Sequence, residues 1–542
     1  MLNTANNAFS DIFKNIIGVK ALYMDEETIK IMALSITRTE ILGYEIIDSG
    51  IINELSQKPI CKLSKSLNSI FYIRPTEANV IGLREELENP HFGKYYIYFS
   101  NLIPQSIIHD LASSDKFCLV EQVEEVYFDY YPLNNRLFSL NIHDVYNLRI
   151  GVPDVTKSSR IADGIFGVLS TFHLRPCIRY ESNSSLCSFI SHQVLERINH
   201  SSQNFENQNA ESLLVILDRR SDPITPLIYS WYYASTIHEL FGLENNVVTL
   251  PEDSKSYVFD ERTDSFVSAH MNSFLSDVGP AVAQQMNEAI ALNEASKQKI
   301  TNPEQIPEII NAATQFQQKM AISRAHVSIV ESINNRVQKD HLLIASELEQ
   351  SLASTDDANS HLSEINRLIS DKCIPRDIIV RIIILFCLRY ENRSQEHIFQ
   401  AKLLLTEDEK PLIEAAFQYC GKNVRSPEDI FKNISTFTRI FTDIIPIYDA
   451  QQKVLDQHRC LLHSIVKRIR NNNLDPMCYP YRGSVQTTKP QKLIIFYVGG
   501  ATYEEMRVSC QLSSSDMDII VGGTSIHNPN SFMTYELKKF TK

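Results

Sequence analysis

The sequence predicts a mixed α/β and all-α chain, with two open, mostly parallel sheets flanked by helices and a large helical insertion. Three observations lead there. Strand-like and helix-like segments alternate over residues 18–142, the pattern of a sheet with helices on both faces. The run LLVILD, ending at Asp218, is apolar without alternation, as a strand covered on both faces must be. Strand signals then fade between residues 260 and 470 and return in KLIIFYVGG and DIIVGGTSI near the C-terminus.

In chain order, GVKALYMD reads as a strand ending at Asp25, followed by the helix EETIKIMALSI. ILGYEIID is a half-apolar strand. SIFYIRPT is a strand stopped by Pro75, with Thr76 placed to cap the helix EANVIGLREEL. KYYIYFSN is a strand, Pro104 opens a short helix, and CLVEQVEEVYFDY is again a strand. In the next unit SSRIADGIFGVLSTF and SLCSFISHQVLERI are helical, and residues 200–212 form a polar loop. LLVILDRR follows, broken by Pro223 and Pro226, and SWYYASTIHELFGL is a helix. The last segment, 475–542, holds too few elements for a core of its own. It is expected to complete the sheet begun near residue 213, so that the helical block is an insertion.

Composition bounds the function. The chain has 542 residues, 43% hydrophobic and 22% charged, ordinary for a globular protein of several domains. A net charge of −13 disfavours a phosphate backbone, so no nucleic-acid partner is expected. The start, MLNTANNAFSDIFKN, lacks the basic and apolar regions of a signal peptide. The most apolar stretch, residues 378–388, is short for a membrane span and contains Arg381; it reads as a buried core helix. Any membrane association is therefore expected to come through partners. The ten cysteines are scattered, with no CxxC pair, so no disulfide framework and no metal is expected.

LDRRSDPITP is the conspicuous polar cluster. Asp218 stands at the carboxyl end of a buried strand, where α/β sheets place ligand groups, and Arg219, Arg220 and Asp222 follow. These four residues fit a structural ion-pair network that satisfies itself. The alternative is a phosphate-handling α/β enzyme using Asp218 and the glycine loops Gly499–Gly500 and Gly522–Gly523. Against it, Glu504 and Glu505 follow the first glycine pair and would repel phosphate. No phosphate loop, dinucleotide fingerprint or hydrolase motif is present, so no catalytic residue and no cofactor is expected. His238, on an amphipathic helix, reads as a packed or capping histidine.

The helical block carries apolar residues at near-heptad spacing: Ile309, Ala313, Phe316 and Met320, then Val327, Val330, Ile333, Val337, Ile344 and Leu348. This fits a hairpin packed on its own domain; the alternative is a helix lending its stripe to a partner helix.

LLVILDRRSDPITPLIYSWYYASTIHELFGL, YVGGATYEEMR and VGGTSIHNPNSF resemble the SM (Sec/Munc-like) family of SNARE-assembly proteins. ALYMDEET, FYIRPTEANV, YYIYFSN, YPLNNRLFSLNI, SELEQSLA and QHRCLLHSIV do so too, in the family's order. RPTEANV, IYFSN, SELEQ and GGTSIHN are similar to its branch serving endosomal and trans-Golgi syntaxins. The resemblance implies an arch of three domains: domain 1 at 1–142, domain 2 at 143–248 with 475–542, and domain 3 at 249–474. It implies a non-enzymatic regulator of vesicle docking and fusion, cytoplasmic and peripherally recruited to endosomal, Golgi or vacuolar membranes. Its partners would be a syntaxin-type SNARE, through an N-terminal peptide and a helical bundle, and other SNAREs. Val126, Phe128, Leu137 and Leu140 would line the peptide pocket. A hairpin near 300–350 would template SNARE helices, with Val327, Val330, Ile333 and Val337 as its contacts. Where several relatives bend that hairpin at a proline, this chain has Thr314, with prolines at 303 and 307.

Overall fold

The computed structural model describes residues 1–55, 64–146, 154–201, 211–252, 254–297, 306–391, 395–425, 454–485 and 488–541. They divide into two compact units. The first is Met1–Leu217 with Asp475–Gly500 and Ser513–Ser525; the second is Asp218–Leu474 with Ala501–Leu512 and Ile526–Lys542.

Two sheets make the first unit. The first sheet consists of β1 (Lys20–Met24), β2 (Ile46–Ile51), β3 (Asn68–Ile73), β4 (Lys94–Phe99) and β5 (Val120–Glu125). Their order is β2-β1-β3-β4-β5, every pair parallel. The flanking helices are α1 (Leu2–Asn15), α2 (Glu26–Ser35), α3 (Glu77–Glu88) and α4 (Gln105–Ser114). Local chemistry sets their starts. The Asp25 carboxylate accepts from the amides of Glu27 and Thr28, and Thr76 accepts from Asn79. Such caps are worth about 1 kcal/mol each. Tyr23, Phe71 and Tyr95 stack across the sheet, with centroids 5.7 and 5.8 Å apart, and all three are buried.

The second sheet takes β6 (Tyr131–Pro132), β7 (Leu137–Ser139), β8 (Cys177–Tyr180) and β9 (Ser212–Asp218). After a separate ribbon of β10 (Val247–Thr249) and β11 (Ser256–Val258), β12 (Tyr481–Arg482), β13 (Lys492–Val498) and β14 (Asp518–Gly523) return to it. The order is β12-β8-β9-β13-β14-β7-β6, so the C-terminal strands β13 and β14 stand in the middle. Within the same unit, α5 (Val155–Thr171) and α6 (Ser185–His200) complete this layer. A Cβ at Gly167 of α5 would lie 2.8 Å from the Tyr127 carbonyl, so only glycine admits that approach.

The second unit is mainly helical. It contains α7 (Tyr233–Phe241), α8 (Leu275–Lys297), α9 (Ile306–Lys339), α10 (Leu342–Ser354), α11 (Ala358–Ser370), α12 (Arg376–Tyr390), α13 (Pro411–Cys420), α14 (Leu461–Arg470) and α15 (Tyr503–Leu512). Helices α8 and α9 pack along one another. The apolar stretch 378–388 lies in α12 and is buried throughout. Its Arg381 is tolerated there because Glu349 holds it at 2.5 Å and Glu239 at 2.7 Å, as a buried guanidinium requires. Among the described residues, no helix is long and apolar enough to cross a membrane, and none of the nine described cysteines is in a disulfide.

Candidate partner-binding surfaces and the ion-pair cluster

The expected peptide-pocket residues occupy the segment that leaves the first sheet and enters the second. The Val126 amide bonds the Phe99 carbonyl at 2.8 Å, and its side chain is half-buried. Phe128 is buried against Phe9, 5.2 Å between centroids, and its carbonyl accepts the Tyr72 hydroxyl. Leu137, in β7, is fully buried. Leu140 is 1% exposed and lies under α5, where a Cβ at Gly164 would collide with it. Three of these four side chains are therefore already buried, Phe128 against α1 and Leu140 under α5. Exposed apolar side chains of the first sheet's layer lie at its β5 edge (Ile108, Phe117 and Val123) and also on β2 (Ile47) and α3 (Ile81).

Between Phe128 and Tyr130, Asp129 is buried. It receives Arg74 at 3.0 Å, Arg160 at 3.1 Å and Asn101 at 2.9 Å. This carboxylate ties the first sheet's loops to α5. Sequence patterning gave no sign of it, because its partners lie 28 to 55 residues away.

The near-heptad stripe runs from α9 into α10, where Ile344 is exposed and Leu348 buried, and within α9 it divides between two faces. Ile333 and Val337 are buried in the second unit, on one stripe with Ser323, His326 and Ile329. His326 fixes that stripe: Tyr233 meets its Nδ1 at 2.7 Å and Asp264 its Nε2 at 3.0 Å. Val327 is 42% exposed, and Val330 is half-buried. Ala313, Phe316 and Met320 fall on the Val327 side at about 100° per residue, exposed or half-buried. Helix α9 continues unbroken through Thr314, whose hydroxyl bonds back to the Ile310 carbonyl at 2.9 Å. Ile309 and Pro303 lie outside the described side chains.

The LDRRSDP cluster is closed. Arg220 grips Asp218 through Nε and Nη2, at 2.9 and 2.6 Å. Arg219 has no exposed side chain and forks onto Glu505 at 2.7 and 2.5 Å. Asp222 accepts from the Thr225 amide and hydroxyl and from the Leu461 amide. Glu505 also accepts from the Thr502 amide, capping α15, and Glu504 pairs with Arg507. The start of α15 is therefore filled by carboxylates already in ion pairs. The glycine pairs have packing reasons. Gly499 and Gly500 both have positive φ, and a Cβ at Gly522 would strike the Phe138 ring. His238 is buried against Tyr503, and burial together with His527 pushes its pKa down to about 3. It is a packed neutral histidine whose carbonyl accepts Asn528 at 2.7 Å.

The Sec1 family model matches residues 20–441 and 480–535. Over 535 residues the chain is 31% identical to vacuolar protein sorting-associated protein 45 of Rattus norvegicus, spanning 95% of this chain and 92% of that protein. To the protein of the same name in Dictyostelium discoideum it is 30% identical, spanning 96% and 94%. The solved structure of the SM protein Vps45 in complex with the Qa SNARE Tlg2 superposes with a TM-score of 0.88 at 25% identity, covering 100% of this chain and 98% of that one. The Unc18–syntaxin 1 complex from Monosiga brevicollis, at 17% identity and a TM-score of 0.80, shares the fold.

Proposed function

Because the chain belongs to the Sec1 family, alongside its vacuolar protein sorting-associated protein 45 members, we propose that it binds a syntaxin-type SNARE and promotes SNARE complex assembly. On this reading it regulates vesicle docking and fusion in endosomal, trans-Golgi or vacuolar transport. It works in the cytoplasm, reaches membranes through its partners, and has no catalytic step. The observation that carries the reading is a match along the whole chain to a relative solved with a Qa SNARE.

The same reading divides the chain into domain 1 (1–142), domain 2 (143–248 with 475–542) and the helical domain 3 (249–474). It gives α9 the SNARE-helix contact. A SNARE helix must bury an apolar seam, and Phe316, Met320, Val327 and Val330 offer a partial one. It moves the N-terminal peptide from Leu140 to the β5 edge, where an edge strand and exposed apolar side chains can take an extended segment.

The test is titration of the full chain with the cytosolic part of a syntaxin-type SNARE, and separately with Mg-ATP and Mg-GTP. Saturable SNARE binding with a raised melting temperature, and no shift with nucleotide, is expected. A nucleotide-induced shift with hydrolysis that Asp218→Asn abolishes, and no SNARE binding, would overturn the reading.

A further inference from the structure

Among the described residues, His341, Asp371 and Cys373 are the one group of three metal-type donors, with their ligand atoms all within 4.8 Å of one another. Close spacing in sequence does not announce them, since His341 and Asp371 are 30 residues apart. The fold brings them together. His341 stands between α9 and α10 as the N-cap residue of α10, with φ 47° and ψ 41°. Asp371 is the C-cap of α11. The Cys373 amide donates to Asp371 Oδ1 at 2.9 Å, folding residues 371–373 into a turn beside the imidazole. His341 Nδ1 lies 2.6 Å from Asp371 Oδ2. The imidazole is 41% and the carboxylate 27% exposed, and Cys373 is exposed, so ions in solution reach all three.

We propose that His341, Asp371 and Cys373 form a three-ligand Zn²⁺ site at the α9–α10 corner, with the fourth position open to water. The donor set decides the ion. Ca²⁺ and Mg²⁺ prefer oxygen ligands throughout, whereas imidazole, carboxylate and thiolate together suit Zn²⁺. Zinc bonds of about 2.0–2.3 Å set tetrahedral ligand atoms about 3.4–3.6 Å apart. The His341–Asp371 contact would open by about 0.8 Å, which two partly exposed side chains can accommodate. The ion takes the place of the proton between Nδ1 and Oδ2. The proton displaced from Nδ1 passes through water to Nε2 of the neutral imidazole, and the Cys373 thiol proton is released to solvent, leaving the bound site neutral. The ion would staple the C-terminal end of α9 to the loop after α11.

The test uses the full chain, stripped with a chelator and titrated with Co²⁺ as a spectroscopic probe, then with Zn²⁺ as competitor. A saturable thiolate-to-cobalt charge-transfer band that Zn²⁺ bleaches is expected. Cys373→Ser should remove it, while Cys118→Ser, at an exposed cysteine of the first unit, should not. His341→Asn keeps a side chain that tolerates left-handed backbone and should weaken Zn²⁺ about ten-fold or more. Melting curves establish that each variant is folded. A band that survives Cys373→Ser, or equal Zn²⁺ affinity in wild type and His341→Asn, would overturn the site.

Discussion

At the residue scale, buried charge is handled by fixed partners. Arg219 and Glu505 have no exposed side-chain surface, so removing one leaves the other's charge desolvated without its ion-pair partner. Glu505→Ala should cost about 3–5 kcal/mol in chemical denaturation. Asp218→Asn should cost less, because its partner Arg220 is 25% exposed and can turn to water. An equal or smaller loss for Glu505→Ala would contradict this account. Buried histidines set a pH dependence. Burial pushes both His238 and His463 down to about 3, while the unfolded chain takes up their protons near 6.5. The unfolded state then binds more protons between those values, so stability rises with pH. It should be complete above about pH 6.5 and fall by about 1.4 kcal/mol per histidine per pH unit below it. His463→Gln should flatten that slope in melts taken from pH 7 to pH 4. The sequence disclosed the ion-pair character of LDRRSDP but not Glu505, because a partner 286 residues away leaves no local pattern.

At the element scale, the period of a helix was readable and its orientation was not. Near-heptad spacing in α9 merged residues of two faces, since side chains 60–120° apart on a helix can both be counted as one loose stripe. Ile333 faces the core with Ile329 and Val337, whereas Val327 does not. A charge therefore acts differently at the two positions. Ile333→Asp should unfold the second unit or cost more than about 3 kcal/mol. Val327→Asp should leave the melting temperature nearly unchanged and slow SNARE assembly in a fluorescence assay. Wild-type assembly kinetics in a folded Phe316→Asp, Val327→Asp double variant would remove the SNARE contact from this seam. Strands β1 and β3 were legible because Asp25, Pro75 and Thr76 mark their ends, whereas ILGYEIID begins in the helix Arg38–Gly43 and only its last three residues start β2. Leu140 was ambiguous for a physical reason: an apolar residue at the end of a short strand reads the same whether it faces a ligand or, as here, a helix glycine.

At the scale of the whole molecule, the second sheet depends on strands brought from the far end of the chain. The alternation of KLIIFYVGG, a helix and DIIVGGTSI was enough to expect those strands, but not their central position. β13 neighbours β9, and β14 neighbours β7, so the C-terminal segment joins two groups of strands that otherwise have no shared edge. In β13, Leu493 through Val498 are at most 1% exposed. Burial of six such side chains is worth on the order of 10 kcal/mol before chain entropy is counted, comparable with the whole stability of a domain. Ending the chain at residue 474 should therefore not trim a tail. It should leave β9 and β7 as open, apolar edges, which template aggregation. The shortened protein is expected in the insoluble fraction, and co-expressed residues 475–542 should return it to solution by filling the gap between β9 and β7. A soluble, monomeric 1–474 fragment with a wild-type melting temperature would show instead that the two groups of strands are stable apart.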